Sequence, residues 1–185
     1  MPGITRPRPL IVAGLMLALL AAGCQSPGGS PTFGADPELM PVACTTDAQQ
    51  HYPLYGLPAT TAPAGAGKGQ LALASVSHPV KRALTSISAW RDLRKGWATI
   101  GLRITSANAA NLSVHLTEVF LPAGAQVWLC SANGKLRRGP LHANDIGDII
   151  SPVVSGDEAL LEVIAPTASL RLNTVTLYEV FAGFR

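Results

Sequence analysis

From Ile100 onward the chain keeps a two-residue period. Ile100, Leu102 and Ile104 alternate with Gly101 and Arg103, and Leu112, Val114 and Leu116 alternate with Ser113, His115 and Thr117. Strand side chains point alternately to opposite faces, so this period places one face on a core and the other toward water. A helix would need a 3.6-residue stripe instead. Ala125 to Cys130, Ile149 to Val154 and Glu158 to Ile164 are short runs rich in Val, Leu and Ile. Turn residues separate them: Ser106-Ala107-Asn108, Pro122-Ala123-Gly124, Ala132-Asn133-Gly134-Lys135, Ser155-Gly156-Asp157 and Pro166-Thr167. Asn133-Gly134 predicts a hairpin, because both residues tolerate positive φ. Near the end, Leu170 and Leu172 share one parity while Val175, Leu177 and Phe181 share the other. A β-bulge is therefore expected at Asn173-Thr174. Val80 to Leu93 fits a helix face through Ala83, Ile87 and Trp90, or a strand. Short strands at regular spacing predict an all-β fold, a single antiparallel β-sandwich (jelly-roll-like) over residues 71–185.

The front of the chain has a different texture. Arg6 and Arg8 precede Leu10 to Ala22, a run without charge that is too short to span a bilayer comfortably. That is the form of a secretory signal. Small residues lead directly into Cys24, as in a bacterial lipobox, so residues 1–23 read as a lipoprotein signal peptide and Cys24 as the lipidated residue. Multiple acyl chains supply the anchors that stable membrane attachment needs. Gln25 and Ser26 follow the cysteine where Asp would signal inner-membrane retention. The expected location is the outer membrane, facing the periplasm or the cell surface.

The whole chain of 185 residues has 14 Lys+Arg against 11 Asp+Glu. Losing Arg6 and Arg8 with the signal leaves a nearly neutral protein. Lys81-Arg82, Arg91 to Lys95 and Arg137-Arg138 are scattered, with no basic stripe carrying interleaved aromatics. Nucleic-acid binding is therefore not expected.

Residues 24–70 are punctuated by Pro27, Pro31, Pro37, Pro41, Pro53, Pro58 and Pro63, with Gly and Ser between them. Proline removes backbone donors and glycine raises the entropy lost on ordering, so this stretch is expected to be a disordered tether. Cys44 and His51-Tyr52-Pro53-Leu54-Tyr55 are stickier than a linker requires, which leaves room for part of it to lie on the domain. With Cys24 taken by lipid, Cys44 and Cys130 remain. In an oxidising compartment they form a disulfide, or they stay two thiols with Cys130 inside a strand. The spacing alone leaves both open.

No catalytic residue emerges. There is no Gly-x-Ser-x-Gly, and His51, His78, His115 and His142 sit in no signature. His115 has the outward parity of its strand and reads as a surface histidine. No two histidines have zinc-ligand spacing. Asp145 and Asp148 are the only candidates for a bound calcium ion, in a loop that lacks ordered ligand spacing. Asp157-Glu158 reads as a polar turn. Trp97 and Trp128 are candidates for a sugar-stacking platform. The only cofactor-like group expected is the lipid.

One long stretch carries a resemblance. Leu102-Arg103-Ile104, Leu121-Pro122-Ala123-Gly124-Ala125, Gly139-Pro140 and Ser151 through Val163 occur in an order and spacing that resemble a known region. It is the amino-terminal β-sandwich that precedes the catalytic domain in secreted bacterial trypsin-like serine endopeptidases of the lysyl-endopeptidase-like group. The resemblance covers about Leu71 to Arg185, and Val180 through Arg185 is similar to the strand that closes that region. In that family the catalytic His, Asp and Ser belong to the domain that follows, so the resemblance carries no triad residue onto this chain. Three functions are compatible: a lipid-anchored module that binds a protein partner, such as a protease; the pro- or accessory region of a serine endopeptidase; and a carbohydrate-binding or adhesion module.

Overall fold

The computed structural model describes residues 40–45, 50–61 and 75–184, apart from the side chain of Leu172. The signal segment, Cys24, the other parts of the 24–70 stretch and the start of the 71–185 region lie outside the described residues. The strands are β1 (Leu54–Leu57), β2 (Ser75–Ala83), β3 (Arg91–Arg94), β4 (Trp97–Ser106), β5 (Asn111–Phe120), β6 (Gln126–Ser131), β7 (Arg137–Leu141), β8 (Ile149–Ile150), β9 (Val154–Ser155), β10 (Glu158–Pro166) and β11 (Thr174–Gly183).

Two sheets pack face to face. Sheet I runs β1-β4-β10-β6-β7, with β3 lying along β4 beyond β1; sheet II runs β2-β11-β5-β8, with β9 continuing the line of β8 along β5. The all-β sandwich expected from the two-residue period is what forms. One pairing departs from the antiparallel expectation, since β1 runs parallel to β4, with Leu54 opposite Arg103 and Leu57 opposite Ser106. Ile100, Leu102 and Ile104 of β4 meet Leu112, Val114 and Leu116 of β5 in the core, joined by Leu129, Leu161, Val163, Leu177 and Val180.

Val80 to Leu93 takes the extended alternative: the end of β2, a short 3-10 turn over Leu84–Ser86, and β3. The β6–β7 hairpin forms at Asn133-Gly134, although only Gly134 takes positive φ, at +66°. Asn133 contributes its Oδ1 instead, accepting from the Ser131 hydroxyl and the Lys135 N–H.

A register irregularity lies beside the expected bulge at Asn173-Thr174, between Thr174 and Thr176, and a second follows between Leu177 and Glu179. Leu170 and Leu172 belong to a 3-10 turn, Thr167–Leu172, so their shared parity was never a strand signal. The register shift that moves the core from odd to even residues lies between Leu177 and Glu179. Val175 and Leu177 precede it, Val180 and Ala182 follow it, and Tyr178 is the extra residue. Phe181 consequently points to the outer face.

The boundary at residue 70 also moves. β1 is part of sheet I, and Ala43, Cys44, Tyr52 and Thr60 are buried, so the described residues of the 24–70 stretch lie on the domain. The Thr60 N–H donates to the Ala107 carbonyl at 2.7 Å, and the Arg103 N–H to the Pro53 carbonyl at 2.9 Å. Two of the prolines that read as linker punctuation, Pro53 and Pro58, instead lie at a sheet edge, as do three prolines of the later chain. Pro53 and Pro58 flank β1, Pro79 lies in β2, Pro140 in β7, and Pro152 interrupts the β8–β9 edge. A proline offers no ladder donor, and such edges resist pairing with another strand.

Candidate functional site

The outer faces of the two sheets differ. On sheet I, the residues from Met40 to Pro53 that the structure describes form a strap. Ala43, Cys44 and Tyr52 pack with Trp97, Cys130, Leu160 and Ile164 into a second apolar cluster, flanked by Met40, Leu93 and Trp128. β10 is therefore buried on both faces: Leu161 and Val163 turn inward while Leu160, Glu162 and Ile164 turn under the strap. Cys44 and Cys130 are bonded, with Cα atoms 6.3 Å apart, which closes the choice that spacing left open.

Under the strap sits Glu162, only 2% exposed. A buried carboxylate is costly unless hydrogen bonds satisfy it. The Tyr52 phenol donates to Oε1 at 2.8 Å, the Thr99 hydroxyl reaches the same oxygen at 3.0 Å, and the Cys44 N–H donates to Oε2. Burial raises the Tyr52 phenol far above its ordinary value, and the negative charge of Glu162 adds to the effect. The phenol thus stays a donor throughout the physiological range. Gly101 stands directly opposite Glu162 in the register, where a Cβ would lie 2.5 Å from the Tyr52 ring. Its missing side chain is the seat of that ring. Arg103, which the two-residue period places on the same outer face, pairs with Glu158 at 2.8 Å, so Glu158 opens β10 and does not form a polar turn.

Sheet II is different. Across its outer face the register aligns Pro79, Glu179, His115 and Ile150 on four adjacent strands. Leu112, Val114 and Leu116 take the core side of β5, which forces His115 outward. It is not a free surface histidine. Its Nδ1 lies 3.1 Å from Glu179 Oε1 and its Nε2 lies 3.2 Å from Asp148 Oδ2. The Tyr178 ring meets the imidazole edge-on at 5.2 Å, Lys81 Nζ lies 5.4 Å from the Tyr178 ring centre, and the Ser77 hydroxyl donates to Glu179 Oε2. Around this row Ile150 is 71% exposed, and Phe120 and Ile146 are also exposed.

Partial burial opposes the imidazolium, but hydrogen bonds to Glu179 and Asp148 and their negative charges outweigh it and raise the His115 pKa. Glu179 is lowered, first by the Ser77 hydrogen bond, which prevails over burial, and then by His115 and Lys81. A folded-state pKa above the unfolded one means stability that is complete below the ordinary imidazole value of 6.5 and lost as pH rises through the raised value. Urea denaturation is therefore expected to show lower stability at pH 9 than at pH 6. His115→Gln should flatten that part of the profile. An unchanged profile in the variant would discard the assignment.

Both ring nitrogens of His115 face carboxylates, so neither is available to activate a nucleophile, and the group is not a hydrolytic triad. Of the two calcium candidates, Asp148 turns to His115 while Asp145 is exposed. Asn144 Oδ1, a third loop oxygen, accepts the N–H groups of Ile146 and Asp148. Among the described residues no three His, Cys, Asp or Glu side chains are placed to hold a metal ion. Trp97 and Trp128 do not form an exposed platform. Trp97 is buried beneath the strap, and Trp128 is half-buried, its Nε1–H donating to Gln126 Oε1 at 3.0 Å with Gly139 against its ring.

No motif announces these roles: Asp148 stands in the sequence only as a calcium candidate, Tyr52 only within a sticky segment, Glu162 only as a lone acid inside the apolar run Leu160-Leu161-Glu162-Val163-Ile164, and Glu179 not at all. Compared with known proteins, the chain matches no family model, no curated protein and no solved structure.

Proposed function

We propose that the chain is a lipid-anchored, non-catalytic β-sandwich that presents the outer face of sheet II to a protein partner. The anchor rests on the signal-like segment and on Cys24 as the lipidated residue. The presenting face rests on one observation, the unequal covering of the two sheets. The chain's own strap and a disulfide cover the middle of sheet I, leaving Val42 of the strap and Leu54 of β1 exposed, and prolines blunt the edges. Sheet II keeps a row of charged and apolar side chains, with Ile150, Phe120 and Ile146 in solvent. Interfaces favour this combination of exposed apolar anchors with a polar surround.

Two measurements test the two halves. Cys24→Ser should move the protein from the membrane to the soluble fraction; retention on membranes refutes the anchor. A photo-crosslinking side chain at position 150 should give one discrete protein adduct in cells, absent when it is placed at Arg137 on β7 and lost on Phe120→Asp. Equal adducts from positions 150 and 137 refute the face.

A second reading, the accessory region of a serine endopeptidase, is favoured by the Leu121 to Ala125 and Ser151 to Val163 motifs. These form the β5–β6 turn and the β9–β10 corner. An in-frame trypsin-like domain in the DNA downstream of Arg185 would establish it over the first.

A further inference from the structure

The geometry points to a proton-controlled latch in which His115 holds the rim of sheet II closed through Asp148 and releases it when the ring is neutral. An ionised carboxylate accepts hydrogen bonds and donates none. Both nitrogens of His115 face such groups, Glu179 Oε1 and Asp148 Oδ2. Only the doubly protonated ring can donate to both. The neutral ring has one N–H and one lone pair, so one of the two contacts must turn from a donor bond into a lone pair against a carboxylate.

The surroundings decide which contact is lost. Glu179 keeps the Ser77 hydroxyl on its other oxygen, and the Lys81 charge favours its ionised form. For the Asp148 carboxylate, His115 is the hydrogen-bond partner among the described residues. Tyr178 packs edge-on against the ring. Ile150, across the ladder from His115, adds no charge. The neutral ring therefore keeps Nδ1–H on Glu179, and Asp148 lets go.

Asp148 ends the loop between β7 and β8. Asn144 makes that loop one unit: its Oδ1 accepts from Ile146 and Asp148, its N–H donates to the Asp148 carbonyl at 2.9 Å, and its carbonyl accepts from Gly147 at 3.0 Å. The unit hangs on β5 by the Val119 N–H to the Gly147 carbonyl, 2.9 Å, and by the Asp148–His115 pair. Loss of the Asp148 tie leaves the Val119–Gly147 bond and the β8 ladder at Ile149, and Ile146 at the loop tip gains freedom between them. The latch is a property of the chain alone. Its use to regulate docking rests on the partner-binding role of sheet II proposed above.

The test follows the full chain by nitrogen-15 NMR from pH 5 to pH 9. The neutral His115 ring is expected as the Nδ1–H tautomer, with at least a threefold loss of Gly147 and Asp148 amide protection through its titration, after correction for base catalysis. Asp148→Asn should abolish the protection step, and Glu179→Gln should switch the tautomer to Nε2–H. A neutral Nε2–H ring in the native chain, or protection flat through the midpoint, overturns the latch even if both variants fail to fold. Crosslinking that fails at position 150 while the tautomer and protection step appear would refute the docking face and leave the latch standing.

Discussion

Replacing Cys44 and Cys130 together by serine is expected to lower unfolding stability by about 4–5 kcal/mol. The two cysteines are 86 residues apart, and the chain-entropy model assigns roughly that loss to a loop of this length. In a domain of this size the melting temperature should fall by on the order of 15 °C. Urea denaturation of the native chain with and without reductant gives the same comparison without mutation. The strap adds a second contribution, because without the bond its docking depends on the packing of Ala43, Tyr52 and residue 44 and on the hydrogen bonds of the last two to Glu162. A change below about 1 kcal/mol would mean that the strap is held by something other than the disulfide.

Gly101→Ala should be nearly as damaging, which is unusual for so small a change. In a strand interior alanine ordinarily gains about 0.5–1 kcal/mol over glycine. Here the new Cβ would stand 2.5–2.7 Å from three carbons of the Tyr52 ring. The ring must leave its seat, and its phenol then leaves the buried Glu162 carboxylate short of a donor. Breaking a buried charged group's partnership costs roughly 3–5 kcal/mol. The pair is open to a double-mutant cycle: with Tyr52→Ala already present, Gly101→Ala should cost little, since the ring it collides with is gone. Additive effects in that cycle, or a neutral Gly101→Ala, would sink the account.

The sandwich was legible because alternation is a local signal. Ile100 to Ile104 and Leu112 to Leu116 name a core face without knowing what the face meets. The same signal misled at Leu170 and Leu172, where two leucines two residues apart sit in a 3-10 turn. It was also silent about covering. Gly101 and Arg103 look like a wet face, yet the strap lies over Gly101, and that depends on Tyr52, forty-nine positions earlier. Proline was ambiguous for a physical reason: a missing N–H suits a linker and an unpaired sheet edge equally well. His115 was placed on the correct face by parity. Its partners come from a loop and from another strand, and no spacing rule connects Asp148, His115 and Glu179.

The Cys44–Cys130 bond also sets how the molecule bears load. A pull applied to the chain ahead of Cys44, against one applied at its far end, crosses the sulfur bridge into β6 and bypasses everything between the two cysteines. β1 to β5 then form a closed ring outside the force path, even after every hydrogen bond in it has ruptured. About 300 Å of contour length, from 86 residues at roughly 3.5 Å each, stays unavailable to extension. Tension enters instead at the middle of sheet I, through β6 and its neighbour β10, and mechanical failure would begin there.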